Sequence, residues 1–381
     1  MHILHVVGAR PNFMKAAPVL RALAAHSVSH REIRQTLVHT GQHYDAAMSD
    51  IFFQQLEMPE PDYNLGVGSG SHAQQTAGVM LALEPVLLER KPDLVLVYGD
   101  VNSTVAAALV CSKLGIHVGH VEAGLRSRDL SMPEEINRLL TDQLSDLLFT
   151  PSADGDENLL HEGVDAAKIH LVGNVMIDTL LRLLPDSERH FPAGVVSPYA
   201  LVTLHRPSNV DDLPWLRELL TELADLSAHV NVIFPLHPRT RQRLEEVAPS
   251  HITTARLRLL EPLPYLEFLA LQSRATLVIT DSGGIQEETT FLGVPCLTVR
   301  ENTERPITLT HGTNQLVGRD LGRLRAAASE MLSRKSAGEG SAGPDRNRVP
   351  LWDGHAAERI AQILVQGRKG VTNTRLQDSA H

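Results

Sequence analysis

The sequence has few cysteines, few aromatic residues and no block of basic residues. Its 381 residues contain two cysteines, Cys111 and Cys296, which lie far apart inside apolar stretches. They fit buried thiols in a reducing compartment better than a disulfide, and no cysteine–histidine spacing typical of zinc occurs, so no metal is expected. With 4% aromatic residues and a formal net charge of −10, the chain lacks the stacking rings and the basic surface of nucleic-acid-binding proteins.

Long hydrophobic runs are also lacking. No apolar run reaches the roughly 18 residues of a membrane-spanning helix, and the first residues, MHILHVVG, are strand-like and do not have the pattern of a signal peptide. We therefore expect a cytoplasmic protein that has no membrane partner.

Short apolar runs alternate with helical patterns along the whole chain. This order predicts parallel sheets with right-handed crossovers, and two such blocks predict an α/β protein of two Rossmann-like domains that face a cleft. The predicted strands are Ile3–Val7, Thr36–His39, Leu94–Tyr98, Val118–Val121, Leu147–Thr150, Ile169–Val172, Tyr199–Thr203, Val230–Pro235, Leu257–Leu260, Leu277–Thr280 and Cys296–Val299.

The predicted domain boundary lies between Asn174 and Pro198, in a weakly patterned stretch that contains several prolines. We expect an N-terminal domain at residues 1–174 and a C-terminal, nucleotide-binding domain at residues 175–355. Helical spacing after residue 355 predicts a last helix, within residues 356–381, that packs back on the first domain.

Residues 275–284, ATLVITDSGG, form the most informative turn of the sequence. An apolar, strand-like run ends here, and Ser282, Gly283 and Gly284 follow at the start of a helical pattern. Two consecutive glycines let a ligand approach the backbone closely, and the N–H groups at the start of a helix favour a phosphate. A glycine-rich turn in any doubly wound domain is the structural alternative.

The residues after this turn fit a nucleotide-diphosphate site. Glu287 and Glu288 stand about one turn into the predicted helix, where either carboxylate could accept hydrogen bonds from ribose hydroxyls. Arg305 follows the next strand and could pair with a diphosphate. Because phosphate, ribose and arginine elements occur in this order, the sequence favours a nucleotide diphosphate over an ordinary turn.

Three carboxylates form a candidate acid–base set. Asp100 ends the run LVLVYG, Glu122 ends IHVGHV, and Glu134 follows a proline in MPEEINR. Ligands bind at the carboxyl ends of parallel strands, so we expect these acids to line the cleft. Burial and mutual repulsion would separate their pKa values, as a general acid and a general base require. The alternatives are a helix cap, a buried polar strand end and a helix-dipole acid, respectively.

Four basic residues join this set. His205 follows the strand-like run at residues 200–204 and could contact a phosphate or transfer a proton, and His237 in PLHPRT has a weaker claim. Arg10 and Lys15 flank the start of the first helix and could hold a diphosphate. The structural alternative is a strand cap for His205 and a solvated charge for Arg10 and Lys15. GARPNF replaces a GxGxxG fingerprint after the first strand, so no dinucleotide cofactor is expected.

Eight motifs, in order over roughly residues 3–320, carry a family resemblance: GARPNFMKAAPV, VYGDVNST, GHVEAGLRS, MPEEINR, VGNVMIDT, TLHRPSN, TDSGGIQEE and NTERP. Together they resemble the non-hydrolysing UDP-N-acetylglucosamine 2-epimerases. The resemblance implies a fold like that of the GT-B glycosyltransferases, with the C-terminal helix crossing back to the first domain. It also implies reversible interconversion of UDP-GlcNAc and UDP-ManNAc without a cofactor, by elimination of UDP to 2-acetamidoglucal and re-addition. We also expect a homodimer.

The resemblance assigns roles residue by residue. Asp100, Glu122 and Glu134 match the family's catalytic acids, and His205 matches its active-site histidine. The matching substrate-contacting residues are Arg10, Lys15 and Arg138, and those of the UDP site are Ser282, Gly283, Gly284, Glu288 on the ribose, and Arg305.

The chain departs from many family members at two positions of the first motif. Ala9 stands where many have threonine, and Asn12 where many have glutamate. The alternative functions are epimerisation of another UDP-sugar by the same mechanism, GT-B glycosyl transfer, and non-catalytic sensing of a UDP-sugar. The acidic set argues against a sensor, because binding alone does not need buried carboxylates near an anionic ligand.

Overall fold

The structure is a computed structural model that describes residues 1–29, 33–42, 53–247, 255–336 and 348–366, except for the side chains of residues 10, 27–29, 245, 247, 335 and 336. The chain forms two compact units, Met1–Thr179 with the segment from Pro350, and Leu180–Val349. The predicted limits, at residues 174 and 355, lie near these divisions, and we keep them as a proposal.

The first unit contains a seven-stranded parallel sheet. Its strands are β1 (His2–Val7), β2 (Arg34–His39), β3 (Tyr63–Asn64), β4 (Leu94–Tyr98), β5 (His117–Val121), β6 (Leu147–Thr150) and β7 (Ile169–Leu171), in the order β3-β2-β1-β4-β5-β6-β7. All five residues of β4 are buried. Helices cover both faces of a parallel sheet, which explains why its strands read as continuous apolar runs. The strand order reverses between β1 and β4, where ligands of such sheets bind.

Among the described residues, the helices between these strands include α1 (Arg10–Ser29), α2 (His72–Arg90), α3 (Asn102–Leu114), α4 (Pro133–Leu144) and α5 (Ala153–His161), with a short 3-10 helix at Ala166–Lys168. A further helix, α6 (Val175–Ser187), follows β7. The two units divide inside α6, after Thr179. This helix occupies a stretch that the sequence pattern did not predict as helical. Its Pro185 removes one helical hydrogen bond, but it stands in the last turn, where the helix ends in any case.

The second unit repeats the architecture with a six-stranded parallel sheet. Its strands are β8 (Tyr199–Thr203), β9 (Asn231–Pro235), β10 (Leu257–Leu260), β11 (Leu277–Thr280), β12 (Cys296–Thr298) and β13 (Asn314–Leu316), in the order β10-β9-β8-β11-β12-β13. Its helices are α7 (Pro207–Val210), α8 (Leu213–Leu226), α9 (Pro238–Val247), α10 (Tyr265–Arg274), α11 (Gly283–Leu292), α12 (Ile307–Thr310) and α13 (Leu321–Ser336), after a 3-10 helix at Glu188–His190. The order reverses between β8 and β11.

Two edge strands, β3 and β13, were not predicted from the sequence. They have two and three residues, too few for an apolar or alternating pattern to be recognised. None of the described helices is both long enough and apolar enough to cross a membrane.

The last described helix, α14 (Ala356–Gln366), packs on α1 within the first unit. Asp178 caps its first turn, because its carboxylate accepts hydrogen bonds from Ala356 N at 3.2 Å and Ala357 N at 2.7 Å. The indole of Trp352 anchors the preceding segment by donating to Pro151 O at 2.9 Å. The predicted return of the C-terminal helix to the first domain is confirmed, and residues 367–381 lie outside the described residues.

Candidate functional site

The polar group of the first unit begins where β4 and β5 end side by side. Gly99 follows β4 with a φ of 62°, and Glu122 follows β5 with a φ of 74°. The left-handed conformation suits glycine, but it costs roughly 1–3 kcal/mol at most other residues and persists only where the surroundings enforce it. Glu122 therefore has a backbone conformation that its surroundings must enforce.

Lys15 and Glu122 form a buried ion pair. Each residue is 5% exposed, and the ammonium of Lys15, which α1 carries, lies against Oε2 of Glu122. The pair also explains the glycine at position 99, since a Cβ there would come within 2.6 Å of Lys15 Nζ and 3.4 Å of Glu122 Oε2. The predicted basic and acidic candidates therefore neutralise each other in this structure.

A second ion-pair group surrounds Arg138 on α4. Its guanidinium pairs with Asp100 after β4 and with Glu135 Oε2 at 2.6 Å. Glu135 also accepts from Ser127 N at 2.9 Å and Arg128 N at 2.7 Å. Burial disfavours its charged form, but these hydrogen bonds and Arg138 outweigh burial and hold the pKa of Glu135 below its usual value. Glu135 thus fixes Arg138, which in turn orients Asp100.

Glu134 occupies the first turn of α4, directly after Pro133 at the helix start. Its side chain is half-buried and makes none of the ion pairs found in the described part of the chain, in contrast to the neighbouring Glu135. The three predicted acids therefore have three environments, with Glu122 against a lysine, Asp100 against an arginine and Glu134 beside a helix N-terminus.

His120 on β5 ties the two strand ends together from behind. Its Nε2 donates to Gly99 O at 2.8 Å, and its Nδ1 lies 2.6 Å from Asp142 Oδ1. Asp142 also accepts from Gly124 N at 3.1 Å, in the turn after Glu122. These contacts hold the backbone on both sides of the candidate acids.

Asn12 fixes the turn after β1, at a position where many members of the resembled family have glutamate. Its side-chain oxygen accepts from Gly8 N at 3.0 Å and Ala9 N at 3.1 Å, and its amide donates to Tyr98 O at 2.7 Å. The departure from the family pattern therefore has a structural role in joining the ends of β1 and β4.

In the second unit, Asp281 organises the turn after β11. It is fully buried and accepts from the backbone N–H of Arg206 at 2.9 Å and from Asn209 Nδ2 at 3.0 Å. His205 Nδ1 lies 3.1 Å from its Oδ1. Burial opposes charge on Asp281, but the contacts with His205, Asn209 and Arg206 outweigh burial and keep its pKa below the usual value. Asp281 therefore orients the imidazole of His205, whose side chain is 40% exposed.

The predicted phosphate turn is the N-terminus of α11. Ser282 is the N-cap residue but its side chain makes no capping hydrogen bond, so the first N–H groups of this helix are not capped by it. A side chain at Gly283 would collide with the guanidinium of Arg305 and the carboxylate of Glu304. The glycine therefore lets an arginine approach the start of the helix, where an anion would bind.

Arg305 belongs to a buried charge network. It pairs with Glu287 Oε1 at 2.9 Å and with Glu304, and Arg300 pairs with Glu304 Oε2 at 2.7 Å. Burial acts against ionised Glu304, but the two arginines outweigh burial and hold its pKa far below the usual value. Because the carboxylate of Glu287 pairs with Arg305, Glu288 is the acid of this helix that has no arginine partner among the described residues.

Glu288 is 3% exposed and accepts a 2.7 Å hydrogen bond from the hydroxyl of Tyr265 on α10. Burial raises its pKa to about 7, and the hydrogen bond from Tyr265 offsets only part of that rise. A buried carboxyl without a cation is well suited to accept neutral hydroxyl donors.

The last two predicted candidates are His237 and Arg10. The ring of His237 is exposed, 5.7 Å from the ring of His205, and its Nδ1 accepts from Arg239 N at 3.3 Å. Arg10 begins α1, but its side chain lies outside the described residues. Within the described ranges, no three His, Cys, Asp or Glu side chains are grouped as metal ligands.

The sequence pattern did not indicate Asp281, Glu135 or Tyr265. Asp281 carried a signal, since it is an acid directly after a fully buried strand. Glu135 had only its place beside Glu134, and Tyr265 gave no signal because its partner lies 23 positions away.

Comparison with known proteins gives matches over nearly the whole chain. A family model described as UDP-N-acetylglucosamine 2-epimerase matches residues 26–365. The UDP-N-acetylglucosamine 2-epimerase of Methanocaldococcus jannaschii is 42% identical over 97% of this chain and 100% of its own length. A crystal structure of the enzyme from that organism, in complex with UDP-GlcNAc and UDP, aligns with a TM-score of 0.86 at 42% identity and covers 96% of this chain and 99% of that one. The α/β, GT-B-like fold class predicted from the sequence is confirmed.

A relative that acts on a different sugar is equally similar. The UDP-2,3-diacetamido-2,3-dideoxy-D-glucuronate 2-epimerase of Pseudomonas aeruginosa is 42% identical over 96% of this chain and 100% of its own length. Overall sequence identity therefore indicates the type of reaction, 2-epimerisation of a UDP-sugar, but it does not distinguish between the two sugars.

Proposed function

Because this chain belongs to the UDP-N-acetylglucosamine 2-epimerase family, we propose that it interconverts UDP-GlcNAc and UDP-ManNAc reversibly and without a cofactor. The protein is an enzyme of this family. The binding of the nucleotide is supported by the start of α11. There the absence of a side chain at Gly283 lets the guanidinium of Arg305 lie close to N–H groups that the side chain of Ser282 does not cap. These donors suit the diphosphate, and Ser282 and Gly284 complete the turn.

Glu288 is the proposed ribose acceptor in the same unit. Its carboxyl lies one turn into α11 and has no arginine partner among the described residues, whereas Glu287 is occupied by Arg305. His205, held by Asp281 and partly exposed, is the proposed active-site histidine, which contacts a phosphate or transfers a proton. His237 is assigned a weaker, outer contact.

The proposed reaction is elimination followed by re-addition. A base removes the proton at C2 while the C1–O bond to UDP breaks, which gives 2-acetamidoglucal and free UDP. A proton then returns to the other face of C2, and UDP re-adds at C1. The C2 proton is weakly acidic, so the departing diphosphate needs cationic stabilisation while the base acts.

Asp100, Glu122 and Glu134 are the proposed acid–base residues, because their different surroundings suit different protonation roles. Lys15 and Arg138 hold Glu122 and Asp100 by ion pairs and supply positive charge. We assign Arg10, Lys15 and Arg138 to substrate binding. The half-buried, uncompensated Glu134 is the member best placed to exchange protons with a substrate or solvent.

Proton NMR of the purified protein with UDP-GlcNAc in deuterated water tests the proposal. We expect UDP-ManNAc to appear without added nicotinamide, and solvent deuterium to enter C2 of both sugars. Product that keeps full C2 protium would contradict elimination, and a requirement for NAD would contradict the absence of a cofactor.

A second candidate substrate is a UDP-2,3-diacetamido uronic acid, which the equally similar Pseudomonas aeruginosa relative favours. The same mechanism would operate, because only C1 and C2 react. Offering both sugars in one NMR experiment separates the two, since each epimer gives its own anomeric signal. Turnover of the uronic acid alone would replace UDP-GlcNAc in the proposal.

We further propose a homodimer that pairs through α2 and α4. Leu81 on α2 is 75% exposed, and Ile136 and Leu140 on α4 are 46% and 44% exposed. A cavity of about 380 Å³ opens between these helices, lined by Ala77 and Met80 among others. A two-fold axis would cover the same apolar face on both copies. Light scattering should give a dimer for the wild type and a monomer for Leu81→Glu.

The two buried free thiols, Cys111 and Cys296, fit a reducing compartment. We propose a cytoplasmic location on that basis.

A further inference from the structure

Glu287 and Glu288 are adjacent in sequence and both buried, but their partners differ in charge. Glu287 Oε1 pairs with the guanidinium of Arg305 at 2.9 Å. Glu288 Oε1 accepts from the phenol of Tyr265 at 2.7 Å, and the amide of Gln272 is its other neighbour. No cation contacts Glu288 among the residues that the structure describes.

The hydroxyl of Tyr265 has one available role in this contact. Burial and the nearby carboxyl raise the pKa of Tyr265 well above its usual value. The phenol therefore stays protonated and donates a hydrogen bond to Glu288. The hydrogen bond occupies Oε1 and leaves Oε2 for another donor. A donated hydrogen bond also favours the carboxylate over the neutral acid.

We propose that Tyr265 is a positioning residue that holds Glu288 in the orientation and charge state needed for nucleotide binding, and that this binding releases a proton from Glu288. The inference rests on the proposed function, in which Glu288 binds the ribose. Tyr265 itself does not need to touch the nucleotide for this role.

The proton balance follows from the chemistry of the carboxyl. Burial raises the pKa of Glu288 to about 7, so near neutral pH part of the free protein carries a protonated Glu288. Two ribose hydroxyls donate hydrogen bonds, and the carboxylate is the better acceptor for them. Binding therefore selects the carboxylate, and the proton goes to solvent. The titratable group that faces Glu288 from α10 is Tyr265, and on α11 Glu287 is paired with Arg305.

Gln272 is a second polar side chain buried beside Glu288. Its side chain is fully buried, and neither its amide oxygen nor its amide nitrogen has a hydrogen-bond partner among the described residues. The amide of Gln272 and the hydroxyl of Tyr265 are therefore the two neutral polar groups beside the carboxyl of Glu288.

The test measures UDP affinity by calorimetry from pH 6 to pH 9 for the wild type, Tyr265→Phe and Glu288→Gln. The second phosphate ionisation of UDP also falls near pH 6, so Glu288→Gln provides the reference profile. Relative to that reference, wild-type affinity should rise about tenfold between pH 6 and pH 8. Measurements in two buffers with different ionisation enthalpies should show proton release at pH 7.

Tyr265→Phe should move this rise upward by about one pH unit, because it removes one hydrogen bond to the charged form. Its UDP affinity should approach that of the wild type at pH 9. Tyr199→Phe is the matched control, since it removes another buried hydroxyl of the same unit, bonded to Leu271 O at 2.6 Å, and should leave the pH profile unchanged.

Two results would overturn the proposal. Tyr265→Phe could weaken UDP binding by the same factor at every pH, which would make its role structural, or wild type and Glu288→Gln could share one pH profile. Infrared difference spectra of free wild type against free Glu288→Gln give an independent measurement. They should show the carboxyl band of Glu288 titrating near pH 7. If the wild type does not bind UDP, the proposed function fails, and the infrared midpoint still decides the claim about the proton.

Discussion

Glu122 in the first unit and Glu288 in the second are both buried glutamates, but they are held in opposite ways. Glu122 follows a strand, has a strained backbone and lies against the ammonium of Lys15. Glu288 lies within a helix and meets a neutral phenol. Side-chain type and burial are the same, so the two sites differ in the charge of the partner and in the backbone that carries the carboxyl. Without a cation beside it, burial raises the pKa of Glu288 to about 7.

The same contrast separates the proposed roles of the units. In the first unit each of two acids has its own cation, Lys15 for Glu122 and Arg138 for Asp100. In the second unit the arginines Arg300 and Arg305 are concentrated beside one helix start, and Glu288 is set apart from them. This distribution fits proton transfer in the first unit and recognition of an anion and a sugar in the second.

The largest expected effect comes from removing acid–base capacity in the first unit. Asp100→Asn, Glu122→Gln and Glu134→Gln should each lower kcat by roughly 10²- to 10⁴-fold, the range for a positioned proton-transfer group. UDP affinity should change little, because the proposed nucleotide site lies in the second unit. The three variants should differ, and at least one should release 2-acetamidoglucal and UDP. Glu157→Gln, at an exposed position of α5, is the control. Near-wild-type turnover in all three variants would make these acids structural.

The next effect concerns the ion pair itself. Lys15→Met leaves Glu122 buried without its cation, and removal of one partner of a buried pair costs about 3–5 kcal/mol of stability. Urea denaturation measures this loss, and the double variant with Glu122→Gln should recover most of it. Arg334→Met breaks the exposed pair with Glu330 and should cost less than about 1 kcal/mol. Equal losses for Lys15→Met and Arg334→Met would show that the buried pair has no special importance.

Glu288→Ala should act on binding and leave the acids of the first unit intact. The loss of two ribose hydrogen bonds to a charged acceptor weakens UDP binding by roughly 2–4 kcal/mol. Calorimetry measures the affinity at pH 8, where Glu288 is mainly ionised. Glu287→Ala should instead disturb Arg305 and therefore weaken inorganic pyrophosphate as well as UDP. If Glu288→Ala leaves UDP affinity unchanged, the ribose contact belongs to another residue.

Most of the fold was predictable from the sequence, and the family membership inferred from its motifs is confirmed. Long buried strands such as β4 give continuous apolar runs, whereas β3 and β13 are too short to give any pattern. The site was predictable in part, because strand ends mark which residues meet. Asp100 and Arg138 could be named from motifs, but their pairing with each other is a tertiary contact that the motifs do not show.

Pairing partners could not be read from the sequence, since a contact such as Glu288 with Tyr265 depends on how α10 and α11 pack. The roles of the named site residues in catalysis and binding stay predictions, as does the homodimer. Each depends on experiments with substrate or on assembly in solution, and the variants above are chosen to separate these cases.

The smallest expected effect tests why Glu122 and Glu288 differ. The cause could be the group that contacts each carboxyl or the unit in which the carboxyl lies. Asp178 lies in the first unit, but its carboxyl caps α14 through two backbone N–H groups. Burial raises its pKa to about 6 despite these bonds, as burial does for Glu288. Asp178→Ala removes the cap and should lower the free energy of unfolding by about 1 kcal/mol at pH 7.

The pH dependence of this loss has a defined sign. The pKa of Asp178 is raised on folding, so the stability that its protonated form contributes is fully present below the unfolded value and declines as the pH rises through about 6. The destabilisation by Asp178→Ala should therefore be larger at pH 4.5 than at pH 7. Urea denaturation at both pH values, with hydrogen exchange of the Ala356 and Ala357 amides, measures it. A loss that grows with pH would mean that Asp178 is stabilised as a charged group, and that the unit rather than the partner sets the behaviour of its carboxylates.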